Sequence, residues 1–128
     1  MAVRHGRCLR GAVTFTAEVT SHEVAVCHCD TCRKWATGPL MTVEHKGAVT
    51  FTGTEDLGVY PSSSFAERGF CKRCGSSLYW KRSDNNDYWL SAGALDETAD
   101  LTFGEEYYTG DKPGYYALAS AVRKSRHG

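Results

Sequence analysis

Apolar and polar residues alternate in short runs along this chain. "AVTFTAEV" from Ala12, "EVAVCHC" from Glu23, "PLMTVEH" from Pro39 and "GAVTFTG" from Gly47 are rich in β-branched and aromatic residues and are separated by turn formers. A period of two marks half-buried strands. Further strands are predicted in "LGVYPSSSFAERGF", "SSLYW", "DYWLSAGAL" and "EEYYTG", with "DNND" from Asp84 as a hairpin turn. No window keeps apolar residues at helical spacing over ten or more positions, so helix is confined to short turns at Thr31 to Trp35 and at Tyr115 to Ala121. The expected fold class is mainly β, built from antiparallel sheets. Two segments share the core V-T-F-T, in "AVTFTAEVT" and "GAVTFTGTE"; strand patterning alone produces such matches, and the pair is read as coincidence.

A length of 128 residues suits one domain spanning positions 1 to 128, and 41% hydrophobic with 23% charged residues is the profile of a chain that folds. Lys and Arg number 15, as do Asp and Glu, so no net field draws the protein to a phosphate backbone. Nucleic acid is therefore not an expected partner, and the basic tail from Arg123 to His127 reads as a solvated terminus. The first residues lack the apolar stretch of a secretory signal, and no run of 18 apolar residues suggests a membrane span. A cytoplasmic protein without membrane contact is expected, as a monomer or homodimer.

In a reducing compartment the six cysteines point to metal ligation rather than disulfides. "CHCDTCRK" places Cys27 and Cys29 on one side of a strand, with His28 turned away to pack or face solvent; a tight turn then returns Cys32 to the same side. Three thiolates arranged in this way make a zinc claw. "FCKRCG" adds Cys71 and Cys74, with Gly75 allowing the knuckle to turn, and Cys8 stands alone in "RCLRG". Spacing leaves three assemblies open: Cys29 and Cys32 with Cys71 and Cys74, Cys8 with Cys71 and Cys74, or two motifs without metal.

The order "GRCLRGAV", "CHCDTCRKWATG", "FCKRCGSSLYW", "LSAGALD" and "GDKPGYY" resembles the glutathione-dependent formaldehyde-activating family, which also includes relatives of centromere protein V. The likeness runs from Gly6 to about Ala119. It implies a zinc-bearing β-tent fold, an open catalytic zinc on Cys27, Cys29 and Cys32, and a structural zinc on Cys8, Cys71 and Cys74. Where the family carries its second N-terminal cysteine this chain has Arg10, which stays protonated and cannot ligate zinc. The second site is left with three cysteines and a substitute such as water or His5, or with no ion. Near the end, Glu106 replaces a family histidine and Tyr115 a tryptophan.

A zinc centre of three thiolates is a weak Lewis acid toward water but suits an incoming thiol, whose proton it would displace at neutral pH. Attack of that sulfur on an aldehyde gives an S-hydroxyalkyl adduct, and the reverse is carbon–sulfur lysis. The resemblance implies glutathione and formaldehyde as thiol and aldehyde. Arg33 and Lys34, beside the claw, are candidates to contact the glutathione carboxylates or to offset the thiolate charge. The aromatic residues Trp35, Trp80, Trp89, Tyr107, Tyr108, Tyr115 and Tyr116 are read mainly as packing, and Asp96 and Asp111 as turn formers. The alternative function is a non-catalytic zinc-stabilised binding module. It requires a fourth protein ligand at the claw, for which His22 and His45 are the candidates. A redox-thiol role is disfavoured because neither C-x-x-C sits on a βα unit.

Overall fold

A computed structural model describes residues 2–19, 21–119 and 123–125. Among the described residues there are eleven strands: β1 (Ala2–Arg7), β2 (Thr14–Val19), β3 (Glu23–Cys27), β4 (Leu40–Lys46), β5 (Thr50–Thr52), β6 (Leu57–Tyr60), β7 (Ala66–Cys71), β8 (Ser77–Arg82), β9 (Asp87–Ser91), β10 (Thr102–Tyr107) and β11 (Arg123–Lys124). They form a three-stranded sheet, β1-β2-β5, and an eight-stranded sheet, β11-β10-β3-β4-β9-β8-β7-β6. Neighbours run antiparallel except around β10, which is parallel to both β3 and β11. The expected mainly-β class is observed, with this parallel corner added.

The alternation in the sequence decides what each strand buries. Val13, Phe15 and Ala17 point from the small sheet onto Val43, Leu78, Tyr79 and Leu90 of the large one, and together these close the core. Gly69 lets the sheet close here. The Tyr79 ring lies where a Cβ would be, with a ring carbon only 2.1 Å away, so any side chain at that position would displace the ring.

The two V-T-F-T segments turn out to be neighbours. Thr14, Phe15 and Thr16 pair in register with Thr52, Phe51 and Thr50, and the Phe15 and Phe51 rings meet at 5.9 Å. Matching threonine and aromatic cross-strand partners explains a similarity that sequence alone left as coincidence.

The helical turn expected at Thr31 to Trp35 is α1 (Asp30–Ala36), and it ends where Thr37 adopts a left-handed conformation before Gly38. Residues 115–119 are not helical, while 120 and 121 lie outside the described residues. The basic tail is likewise no loose terminus where it is described. β11 runs in parallel register with β10, Arg123 opposite Glu105 and Lys124 opposite Glu106, and Lys124 Nζ approaches Glu106 Oε2 at 3.6 Å. No helix among the described residues is long and apolar enough to cross a membrane.

One ion cluster ties the small sheet to the loop before β10. Arg4, buried on β1, donates to both carboxylate oxygens of Asp100, at 3.1 and 2.6 Å, and His22 Nδ1 lies 3.0 Å from the same group. The Arg4 bond, then that of His22, holds the Asp100 carboxyl below the usual aspartate range. A depressed carboxylate contributes its full stability above its unfolded-state pKa of about 4, and that contribution is lost as pH falls through the folded value. Asp100→Asn should therefore lower the melting temperature at pH 7, with a penalty that shrinks as the pH is taken from 5 to 2, as followed by thermal unfolding monitored by circular dichroism.

Candidate metal centres and the cavity above them

Of the two metal-holding groupings that spacing left open, the geometry matches Cys8 with Cys71 and Cys74, and not Cys29 and Cys32 with Cys71 and Cys74. The Sγ atoms of Cys8, Cys71 and Cys74 lie within 4.8 Å of one another, as do those of Cys27, Cys29 and Cys32. The two groups do not mix. All six cysteines are unpaired thiols, not disulfides.

The first group lies under the core. Cys8 follows β1 and Cys71 ends β7; the turn after it returns through Gly75, at φ +79°, so that Gly75 N–H donates to the Cys71 carbonyl at 2.8 Å. Backbone N–H groups aim at the sulfurs, from Val13 to Cys8 at 3.4 Å and from Arg73 to Cys71 at 3.3 Å. Ser76 Oγ sits 3.2 Å from Cys74 Sγ and accepts from Leu9 N–H. Hydrogen bonding from the Ser76 hydroxyl and then from the Arg10 backbone lowers the Cys74 thiol to about 6. At the Arg10 position, then, the chain supplies a backbone donor to a sulfur instead of a further sulfur. His5 is not the substitute ligand, because it is exposed on the opposite face of β1 and approaches Thr16 Oγ1 at 3.4 Å.

The second group is held by strand pairing. β3 lies between β4 and β10, which fixes Cys27 opposite Leu40 and Tyr107. Cys29 is the N-cap of α1: its Sγ accepts from the N–H of Cys32, and the first helical turn brings the third sulfur round. Hydrogen bonds from Cys27 and then Cys32 drive Cys29 far toward thiolate, while donating those protons pushes Cys27 up. Cys32 is also raised, because its contact with Cys29 and its burial outweigh the lowering by Cys27. A soft, crowded donor set of this kind, poised around one negative charge, fits a thiophilic cation such as zinc.

His28 turns away from the sulfurs, as strand alternation requires, and it packs rather than facing solvent. It is 0% exposed, with Nε2 2.8 Å from Glu106 Oε1 and Nδ1 2.7 Å from the Tyr116 hydroxyl. Neither candidate fourth ligand reaches the claw. His22 is engaged with Asp100, and His45 Nε2 lies 3.0 Å from the Ala48 carbonyl.

Above the claw opens a cavity of about 520 Å³, walled by Phe65, Arg68, Trp80, Trp89, Tyr107 and Tyr108. Sequence reasoning missed Arg68. It is 4% exposed, it points Nη1 and Nη2 at Cys32 Sγ from 3.6 and 3.7 Å, and its guanidinium lies 5.1 Å from the Trp35 ring centroid. Among the described residues no carboxylate pairs with it, so its counter-charge has to come from sulfur. The alternation of "FAERGF" gave no sign of this, because an arginine in a strand normally turns to solvent.

The cations singled out beside the claw lie elsewhere. Arg33 donates to the carbonyls of His28 and Asp111, and Lys34 extends to solvent with Asp30 at 3.8 Å; neither lines the cavity, whereas Arg68 and Arg82 do. Trp80 and Trp89, read as packing, do pack on each other at 4.9 Å, but they also form a wall of the cavity.

Three comparisons bear on this arrangement. The profile of a family described as glutathione-dependent formaldehyde-activating enzyme matches residues 3–111. A Schizosaccharomyces pombe protein, described as an uncharacterised lyase, is 35% identical over 116 residues, covering 90% of this chain and 85% of that protein. A crystal structure of a Rhodobacter sphaeroides protein matches with a TM-score of 0.62 at 23% identity, over 72% of this chain and 87% of that one, a likeness of fold. With the profile spanning both cysteine groups and most of the chain, this protein belongs to the glutathione-dependent formaldehyde-activating enzyme family.

Proposed function

We propose that the protein joins a thiol to an aldehyde, and splits the adduct again, at the Cys27, Cys29 and Cys32 centre. It is then a carbon–sulfur lyase acting on adducts of the S-hydroxymethylglutathione type. One observation carries this reading: three crowded sulfurs with no fourth protein donor among the described residues, facing a cavity large enough for a thiol adduct. The family description and the name of the yeast relative support the same chemistry.

Zinc held by the three sulfurs would supply the electrophilic field that favours the thiolate form of an incoming thiol at neutral pH. The protein's own groups do the rest. The three cysteines fix the position of the cation. Arg68, buried against Cys32, offsets the negative charge that would otherwise oppose a further thiolate. In the addition, the thiol sulfur bonds to the carbonyl carbon, the carbonyl π pair moves to oxygen, and the proton lost by the thiol ends on that oxygen. Lysis runs the same steps backwards. On the cavity wall Arg82, which also pairs with Asp84 at 3.2 Å, is better placed than Arg33 or Lys34 to contact the carboxylates of glutathione.

A zinc-stabilised binding module is the second reading. The Cys8, Cys71 and Cys74 group suits that description, since Cys8 and Cys71 are almost wholly buried and the group sits beneath the core. The claw does not, because it opens on a cavity.

Zinc-loaded protein should accelerate the exchange of S-hydroxymethylglutathione with glutathione and formaldehyde, followed by NMR, and Cys32→Ser should abolish the effect; no acceleration with any thiol–aldehyde pair would reject the reading. Native mass spectrometry should find two zinc ions per wild-type chain, one of them lost in Cys74→Ser and the other in Cys29→Ser. Arg68→Met should lower the melting temperature by several degrees, since removing one partner leaves the buried sulfur charge uncompensated; an unchanged melting temperature and unchanged turnover would remove Arg68 from the centre.

A further inference from the structure

We infer that the aromatic wall of the cavity selects the carbonyl half of the adduct, favouring aldehydes with an aromatic or comparably broad apolar body over formaldehyde. The inference rests on the thiol–aldehyde reading and names the substrate class for the same site.

Trp80 and Trp89 face each other across the β8–β9 pair in direct register, their rings at 4.9 Å and 78°. Neither belongs to the core, which the same two strands supply through Tyr79 and Leu90, buried on the opposite face. A sheet face that is not packed on the core normally carries polar side chains. Here it carries two half-buried indoles, and Phe65, 56% exposed, adds a third ring from the loop before β7. This apolar surface is left partly wet beside the claw, so a ligand ring seated among the three side chains would remove it from water.

Formaldehyde cannot use such a wall. Its single carbon, once bonded to sulfur, stays next to the claw and covers none of the three rings. Glutathione does not account for the wall either: it is a polar tripeptide with an ammonium group, and the cavity lining offers two guanidinium groups and no carboxylate. The chemistry is the same for the larger aldehyde. A carbon–sulfur bond forms as the carbonyl π bond breaks, the thiol proton passes to oxygen, and no oxidant or reductant takes part.

Two stable thioethers test the inference without turnover, because the carbon on sulfur occupies the place of the aldehyde carbon. S-benzylglutathione should bind zinc-loaded wild-type protein roughly tenfold or more tightly than S-methylglutathione in isothermal titration calorimetry. Trp89→Leu and Trp80→Leu, with zinc content and melting temperature checked against wild type, should shrink that ratio, the loss of affinity falling mainly on S-benzylglutathione. In turnover with glutathione, benzaldehyde should surpass formaldehyde in kcat/KM, mainly through KM. Equal affinity of the two thioethers, or a benzyl preference that survives both substitutions, would overturn the inference. Absence of turnover with every aldehyde would reject the lyase reading alone, and the thioether ratio would still decide whether the wall is a ring site.

Discussion

Three sulfurs within 4.8 Å cannot all be thiolates unless positive charge sits among them. That constraint organises the rest of the molecule. With protons alone, hydrogen bonds from Cys27 and then Cys32 favour the thiolate form of Cys29. Arg68, buried beside Cys32 without a carboxylate among the described residues, is the counter-charge that the fold builds in permanently. A divalent cation supplies what is still missing and frees all three sulfurs to act as ligands. The geometry follows from strand pairing: β3 lies between β4 and β10, which places Cys27, and Cys29 caps α1 so that the first turn of the helix delivers Cys32.

The second cysteine group is held in shape by hydrogen bonds to its sulfurs. Backbone N–H groups from Val13 and Arg73 and the Ser76 hydroxyl hold the sulfurs of Cys8, Cys71 and Cys74 in place. The Arg10 backbone adds a hydrogen bond to Cys74. Such donors stabilise thiolate whether or not a metal is present.

Much of this was legible in the residues. Period-two patterning located the strands, "DNND" the β8–β9 hairpin, and "CHCDTC" the claw with His28 turned away. What escaped had a common cause: contacts between residues far apart in the chain leave no local signal. Arg68 meets Cys32 across 36 positions, and the Thr-Phe-Thr segments meet across two strands of a different sheet. β10 joins β3 in parallel, an arrangement that alternation alone cannot distinguish from an antiparallel one. The role of Trp80 and Trp89 depended on which face the core had already filled, and a period of two gives the faces without saying which is outward.

The two cysteine groups also differ in how far along the chain their members lie. Cys27, Cys29 and Cys32 fall within six residues, whereas Cys8 must wait for Cys74. Closing six residues costs far less chain entropy than closing the span from Cys8 to Cys74, so the sulfurs of the claw stay near one another in the unfolded chain while those of the buried group come together only as the sheets assemble.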